Sequence, residues 1–229
     1  MADLFDGMAA PSPLPIAQDF SDLRAMRPAG GFGLIMVDPP WRFITRSSAG
    51  EAKAPQAHYS CMDLDAIARM PVGEIAARDC LLWLWAINPM LPQALEVLGA
   101  WGFTFKTAGT WVKRTKHGRD AFGTGYLLRS SNEPFLLGTR GAPKVTRSTR
   151  STVASYAGAA QTVEEVGKTA ITIEAELREH SRKPEEAYSA AEALMPQARR
   201  IEVFSRSSRP GWSTWGDEAG KFDAGGAVT

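Results

Sequence analysis

The sequence predicts an α/β protein with a mostly parallel sheet and helices on both faces. Two continuous apolar runs, "LIMV" at 34–37 and "CLLWLWAI" at 80–87, have the length and composition of strands that are buried on both sides. Between them, "MDLDAIARMPVGEIAARD" predicts one or two short helices, and "NPMLPQALEVLGAWGF" predicts a longer helix that ends at Gly102. Strands that alternate with helices are typical of a parallel α/β sheet.

The longer helix has one apolar face, on which we expect Leu91, Ala94, Leu95, Leu98 and Trp101. Further along the chain, "FKTAGTWVK", "PFLLGTRG" and "RRIEVFSR" predict strands, and "EEAYSAAEALM" predicts a helix that begins near Lys183. The tail "RPGWSTWGDEAGKF" has too many glycines and aromatic residues for a regular element. We therefore expect a mobile N-terminal arm at 1–15 and a single domain at 16–224, with a surface insertion near 143–170.

The composition is that of an ordinary globular domain. Hydrophobic residues make up 44% of the 229 positions and charged residues 22%, which is enough for one sizeable core. The net charge of +1 neither requires nor excludes a nucleic-acid partner, so any basic surface must be local. Neither a signal peptide nor a run long enough to span a membrane is visible, and the two cysteines form no disulfide or metal pattern. We expect a cytoplasmic protein with no membrane association.

The first strand ends abruptly at Asp38, in the stretch "LIMVDPPW". Proline lacks a backbone N–H and fixes φ, so Pro39 and Pro40 stop the strand. Ligands bind beyond the carboxyl ends of the strands in parallel α/β sheets, which places Asp38 at the expected cleft. The chain has neither a G-x-G-x-x-G fingerprint nor a P-loop, and this argues against dinucleotides and nucleoside triphosphates as ligands.

The chemical groups of this turn suit the amino group of a nucleobase. The Asp38 carboxylate and the Pro39 carbonyl, held in place by Pro40, can accept hydrogen bonds from the two amino protons. Trp41 offers a flat ring on which a flipped-out or single-stranded base could stack. A structural alternative is that Asp38 only caps the following turn and that Trp41 packs against the sheet.

Several blocks of the chain also occur, in the same order, in one known family. They are DPPW, "HYSCMDLDAI", "LLWLWAINPMLPQALEVLGAWGF", "GTWVKR", "NEPFLLGTRG", "HSRKPEEAY", "RRIEVFSR" and "PGWSTWGDE", within residues 33–222. The chain thus resembles the AdoMet-binding subunit of mRNA N6-adenosine methyltransferase and its bacterial and phage adenine-methylating relatives. The resemblance implies a Rossmann-like AdoMet-dependent methyltransferase fold of permuted order, with the catalytic motif before the cofactor-binding C-terminal strand.

The resemblance also implies roles for individual residues. The catalytic motif matches Asp38, Pro39, Pro40 and Trp41, and a tyrosine in the mobile loop near the target base matches Tyr59. The positions that bind the cofactor in this family match Asp38, Lys183, Phe204, Arg206, Asp217 and Glu218. Asp217 replaces the usual asparagine, and it can accept a hydrogen bond but cannot donate as an amide does. No metal site is expected.

Target recognition is expected from an acidic residue and from basic loops. Glu133 matches an acidic residue that lies near the target base in the family. The insertion carries Lys144, Arg147 and Arg150 among small polar residues, a composition typical of a loop that contacts phosphates; Arg114, Lys116 and Arg119 are further candidates. A solvated polar loop is the alternative.

The function that follows is AdoMet-dependent methylation of adenine N6. DNA is favoured over RNA as the partner, because the chain carries none of the zinc fingers or basic tails appended to eukaryotic mRNA enzymes. Three alternatives remain: adenine-N6 methylation of RNA, a catalytically silent nucleic-acid-binding partner subunit, and cytosine-N4 methylation, which usually has serine at the first motif position. A monomer and a homodimer are equally compatible with the sequence.

Overall fold

The computed structural model describes residues 19–42, 61–123, 127–146, 172–178 and 182–223. Within these residues the chain forms a seven-stranded sheet. The strands are β1 (Phe32–Val37), β2 (Ala76–Trp85), β3 (Thr104–Arg114), β4 (Asn132–Arg140), β5 (Thr172–Glu176), β6 (Arg200–Val203) and β7 (Trp212–Trp215). Their order in the sheet is β5-β3-β4-β2-β1-β6-β7.

The sheet is mostly parallel, as predicted. Only β4 runs against the other strands, and it pairs in antiparallel fashion with β2 and β3. The reason is local: only a short connection, of which residues 115–123 and 127–131 are described, separates β3 from β4, whereas a parallel partner would need a crossover connection. The direction of β4 decides which residues reach the site described below.

Helices cover both faces of the sheet, which also confirms the prediction. They are α1 (Ser21–Ala25), α2 (Leu64–Ala68), α3 (Val72–Ile75), α4 (Leu91–Ala100) and α5 (Glu185–Leu194). Successive side chains of a strand point to opposite faces. In β1, Ile35 therefore packs in the core cluster that α1 to α4 cover, and Met36 packs in the cluster that α5 covers. This two-sided burial explains the continuous apolar runs in β1 and β2.

Two predictions about the elements are wrong. The tail forms β7, parallel to β6, because its two tryptophans alternate with polar residues: Trp212 packs in one core cluster and Trp215 against the other. In α4, Leu95 is 42% exposed, and Val97 is buried together with Ala94, Leu98 and Trp101. Leu95 lies just outside the stripe that the spacing 94, 97, 98, 101 places on one helix face.

Two elements that the sequence analysis missed are α1 and β5, an edge strand whose Ile173 and Ala175 are buried. Residues 1–15 and most of 143–170 lie outside the described residues, so the arm and the insertion stay predictions. In the described part of the chain, no helix is long and apolar enough to cross a membrane.

Candidate active site

The residues of the candidate site meet where the parallel strands have their carboxyl ends. We call this end of the sheet its carboxyl edge. Since the other six strands are parallel, their carboxyl ends share this edge, and the antiparallel β4 begins there. Asp38 directly follows β1, Phe204 directly follows β6, and Glu133 is the second residue of β4. The fold therefore brings together residues that are far apart in the sequence.

Backbone hydrogen bonds hold the DPPW turn in place. The Asp38 N–H donates to the Val203 carbonyl (3.3 Å), and the Met62 N–H donates to the Pro40 carbonyl (3.1 Å). The Trp41 N–H donates to the Pro39 carbonyl (2.8 Å), which keeps a second lone pair for another donor. Asp38 and Pro39 thus both lie at the carboxyl end of β1, and their role as two acceptors for an amino group stays a prediction.

The burial of Trp41 contradicts the expectation that its ring stacks on the target base. Its ring is 3% exposed and packs in the core cluster beneath α1 to α4, and its indole N–H donates to the Trp85 carbonyl (3.1 Å). A ring buried in this way has no free face for a base, so the structure does not support stacking by Trp41. The structural alternative fits instead: Trp41 anchors the turn to β2.

A chain of alternating charges runs through the site. Lys183 Nζ lies 2.7 Å from Asp38 Oδ2 and 2.7 Å from Glu133 Oε1. The other oxygen of Glu133, Oε2, lies 2.7 Å from Lys113 Nζ. Lys183 is buried and therefore needs a carboxylate partner, and together the two lysines and the two carboxylates carry no net charge. These three ion pairs thus link Asp38, Lys183, Glu133 and Lys113 into one network.

Aromatic rings pack against the two ammonium groups. Lys183 Nζ lies 5.3 Å from the centre of the Trp85 ring, and Lys113 Nζ lies 4.9 Å from that of Trp111. The two rings contact each other edge to face, and both belong to the core cluster under α5. These cation–π contacts restrict the positions of both lysines.

The start of α5 holds the backbone of Lys183. Pro184 takes the N-cap position, so the helix begins at Glu185, two residues after Lys183. Arg178 donates to the Lys183 carbonyl (3.1 Å) and pairs with Glu185 in the first turn of α5 (3.1 Å). The conformation of Lys183 is therefore set from outside the site.

The charges shift one another's pKa values. Burial raises the pKa of the Asp38 carboxyl, and the attraction of Lys183 offsets only part of this effect. Burial would also raise the pKa of Glu133, but Lys183 and Lys113 outweigh it and lower that pKa to about 2. Burial opposes the charge of Lys183, yet Asp38 and Glu133 raise its pKa above the ordinary value. Glu133 and Lys183 are therefore ionised at neutral pH, and Asp38 is the more basic carboxylate.

A second group of predicted residues lies where β6 and β7 end. Phe204 has a φ of 65°, in the left-handed region, and its half-buried ring meets Trp215 edge to face at 5.5 Å. Gly216 permits this close approach, because a Cβ there would lie 2.9 Å from the Cα of Phe204. Arg206 Nε lies 3.0 Å from Glu218 Oε2, whereas Asp217 is exposed. The structure thus brings Phe204, Arg206 and Glu218 together.

Sequence reasoning missed two residues of this region. One is Lys113, whose partner Glu133 lies on the neighbouring strand. The other is Glu202, which is buried in β6 and accepts hydrogen bonds from the Tyr188 hydroxyl (2.6 Å) and the Ser205 hydroxyl (2.8 Å). Burial raises the pKa of Glu202. A glutamate inside the apolar run "RIEVF" was the available signal, because a buried carboxylate requires partners.

The structure does not bring the insertion residue Lys144 to the site. The antiparallel β4 ends at Arg140 on the opposite edge of the sheet, where the Ala142 N–H donates to Asp79 near the start of β2 (2.7 Å). Lys144 is exposed beyond that edge. The direction of β4 therefore separates Lys144 from Asp38, and the predicted contact of Lys144 with nucleic-acid phosphates stays a prediction.

Tyr59, Arg147 and Arg150 lie outside the described residues, so their predicted roles are untested. Among the residues that the structure does describe, no group of three or more His, Cys, Asp and Glu side chains could hold a metal ion.

A mostly parallel α/β sheet with a D-P-P-W turn at the carboxyl end of its first strand defines a Rossmann-like methyltransferase. The chain belongs to the MT-A70 family, whose model matches residues 32–218. This finding confirms the resemblance on which the sequence analysis relied.

Three relatives show the range of the family. The chain is 30% identical over 203 residues to the N(6)-adenosine-methyltransferase MT-A70-like of Arabidopsis thaliana. This alignment covers 86% of this chain and 25% of that protein. It is 26% identical over 211 residues to human N(6)-adenine-specific methyltransferase METTL4, with 88% and 41% covered. It is 24% identical over 210 residues to the type II methyltransferase M.MunI of Mycoplasma sp, with 83% and 79% covered. The chain spans about a quarter of the length of the plant relatives.

Proposed function

We propose that the protein transfers a methyl group from AdoMet to the exocyclic N6 amino group of adenine in DNA. The observation that carries this proposal is the placement of Asp38 at the carboxyl edge of the sheet, next to the Pro39 carbonyl and held by Lys183. Two acceptors on one rigid turn match the two protons of an amino group.

The residues near the ends of β6 and β7 fit AdoMet. The half-buried ring of Phe204 offers an apolar surface for the adenine of the cofactor. Arg206 and Glu218 supply a hydrogen-bond donor and an acceptor suited to ribose hydroxyls, and Lys183 and Asp38 supply charges opposite to those of the amino-acid end. When bound, AdoMet supplies a methyl group on a positively charged sulfur.

Asp38 and Pro39 would act on the target amino group. The lone pair of this nitrogen is delocalised into the base, so the amine is a poor nucleophile. Hydrogen bonds to its two protons hold the nitrogen so that its lone pair can attack, and the new N–C bond forms as the S–C bond breaks. The nitrogen then loses one proton, and Asp38, with its raised pKa, is placed to accept it.

The choice of DNA is supported by the similarity to the type II methyltransferase M.MunI and to N(6)-adenine-specific methyltransferase METTL4. Adenosine in RNA is the second candidate, favoured by the 30% identity to that plant protein.

Mass spectrometry of nucleosides tests the proposal. Purified protein and isotope-labelled AdoMet are incubated with duplex DNA, single-stranded DNA and RNA, and each sample is digested to nucleosides. Labelled N6-methyladenine in DNA is the expected result. Label in RNA alone would select the second candidate, and label in N4-methylcytosine would refute both. Nucleic-acid binding without any label would indicate a silent partner subunit.

Asp38→Ala is the matched variant for this assay. It should reduce transfer at least about a hundredfold, because it removes an interaction made at the reacting nitrogen. AdoMet affinity, measured by calorimetry, should fall far less. More than about a tenth of the wild-type turnover would contradict the role of Asp38, since tenfold is only about 1.4 kcal/mol.

A further inference from the structure

The connection between β3 and β4 rises from the catalytic edge of the sheet. We refer to its described residues, 115–123 and 127–131, as the β3–β4 loop. The Lys113 N–H donates to the Ser131 carbonyl (2.8 Å), and the Ala121 N–H donates to the Lys113 carbonyl (2.9 Å). Lys113 and Glu133, at the two ends of the loop, belong to the charge chain that holds Asp38. The loop is therefore attached directly to the candidate site.

This loop exposes large apolar side chains. Leu127 is 92% exposed, Leu128 85% and Phe122 62%, which makes them the most exposed large hydrophobic residues in the described part of the chain. Exposed leucines beside a functional site commonly mark an interaction surface. The loop thus carries apolar groups that gain by leaving water when a partner binds.

The charge of the loop indicates which partner it meets. Lys116, Arg119 and Arg129 are exposed, and the Arg129 guanidinium lies 5.4 Å from the centre of the Phe122 ring. The one acidic residue among the described loop positions, Asp120, pairs with Arg114. A positive loop would repel its own copy in a symmetric dimer, whereas it attracts a polyanion.

We infer that Leu127 and Leu128 form a wedge that enters duplex DNA beside the target adenine. This inference rests on the proposed function, because a base inside a duplex cannot reach Asp38 until it leaves the stack. Apolar side chains that insert at a base step replace part of the lost stacking. The basic residues Lys116, Arg119 and Arg129 contact the phosphates on either side.

The wedge makes a prediction that differs between paired and unpaired targets. Leu127→Ser with Leu128→Ser should lower kcat/KM at least about tenfold on a duplex whose target adenine faces thymine. On the same duplex with an abasic site opposite the adenine, the loss should stay within about twofold, because an unpaired base leaves the stack easily. Leu95→Ser, at an exposed leucine of α4, is the control and should affect neither substrate.

A second measurement follows base flipping without methyl transfer. 2-Aminopurine at the target position should brighten when wild-type protein binds the duplex, and it should stay dim with the double variant. Suppose that the wild-type protein transfers no methyl group, yet brightens 2-aminopurine and loses this effect in the double variant. This result would support the wedge and refute the proposed function. Methylation of the duplex with equal brightening by both proteins would refute the wedge alone.

Three other outcomes also refute the wedge. One is an equal loss by the double variant on the paired and the abasic duplex. Another is a wild-type protein that methylates only single strands. The third is a wild-type dimer that the double substitution converts to monomers in sedimentation, which would make the loop a protein interface.

Discussion

Lys183 connects the two carboxylates of the site, and Lys113 completes their charge balance from the next strand. Glu133 divides its two oxygens between these ammonium groups, at 2.7 Å each. If Lys113 is lost, Glu133 keeps one cation, and both Lys183 and Asp38 are less firmly held. Lys113 is thus a positioning residue that acts on Asp38 through Glu133 and Lys183.

Lys113→Met should therefore lower kcat about 3- to 30-fold, with a smaller change in AdoMet affinity. The methionine retains the contact with Trp111 but removes the charge. Lys113→Arg is the control and should recover part of kcat, because it restores a cation beside Glu133. If Met and Arg are equally impaired, the charge is not what matters at this position.

The lowered pKa of Glu133 leads to a prediction about stability and pH. Because its folded pKa, about 2, lies below the ordinary 4.5, the ionised form stabilises the fold above pH 4.5, and this contribution disappears as the pH falls towards 2. Glu133→Gln removes the contribution at every pH. The difference in unfolding free energy between wild type and variant should therefore be largest near neutral pH and shrink below pH 4.5. Urea titrations at pH 7, 5, 4 and 3 would check this, and a constant difference would contradict it.

Phe204→Ala should weaken AdoMet binding by about 1 to 3 kcal/mol, through lost stacking and apolar area. Phe105→Ala is a suitable control, since Phe105 is half exposed near the start of β3, away from the catalytic edge. Calorimetric titration of both folded variants with AdoMet gives the comparison. An unchanged dissociation constant for Phe204→Ala would mean that the ring serves only to pack against Trp215.

At the scale of elements, local signals identified β1, β2, α4 and α5, because each carries an apolar pattern and a stop signal within a few residues. The role of Trp41 could not be settled in this way, since its burial depends on β2 and on the helices above it. Lys113 was missed for the same reason: the antiparallel register of β3 and β4 brings it to Glu133. The signal for β7 was present in the alternation of "WSTW", but the surrounding glycines concealed it.

The DPPW turn and β2 act as one unit through the indole N–H of Trp41. Trp41→Phe keeps most of the ring and leaves the buried Trp85 carbonyl without this donor, which should cost about 1 to 3 kcal/mol of unfolding free energy. Binding to single-stranded DNA should change little, because the ring is not accessible. Chemical denaturation and fluorescence anisotropy measure the two effects. Unchanged stability with reduced DNA affinity would restore the stacking role.

Across the whole molecule, the two ends of the strands carry different groups of side chains. The carboxyl edge holds the charge chain, the residues proposed for AdoMet and the β3–β4 loop. The opposite edge holds the start of β2, the end of β4 and Lys144. The sequence alone could not separate basic residues into these two groups. Lys116 precedes β4 and Lys144 follows it, so the two lysines lie at opposite ends of this strand.

This separation predicts which charges bind DNA. Replacing Lys116 and Arg119 together by Ala should weaken binding to DNA of any sequence and lower the log–log salt slope by about two, one for each lost phosphate contact. Lys144→Ala is the matched control and should leave the slope unchanged, since Lys144 lies at the far edge. Fluorescence anisotropy with a labelled duplex across a salt series measures both slopes, and AdoMet affinity should not change in either variant. A reduced slope in Lys144→Ala with none in the double variant would mean that DNA lies along the opposite edge, and the site at Asp38 would then be too far away to act on it.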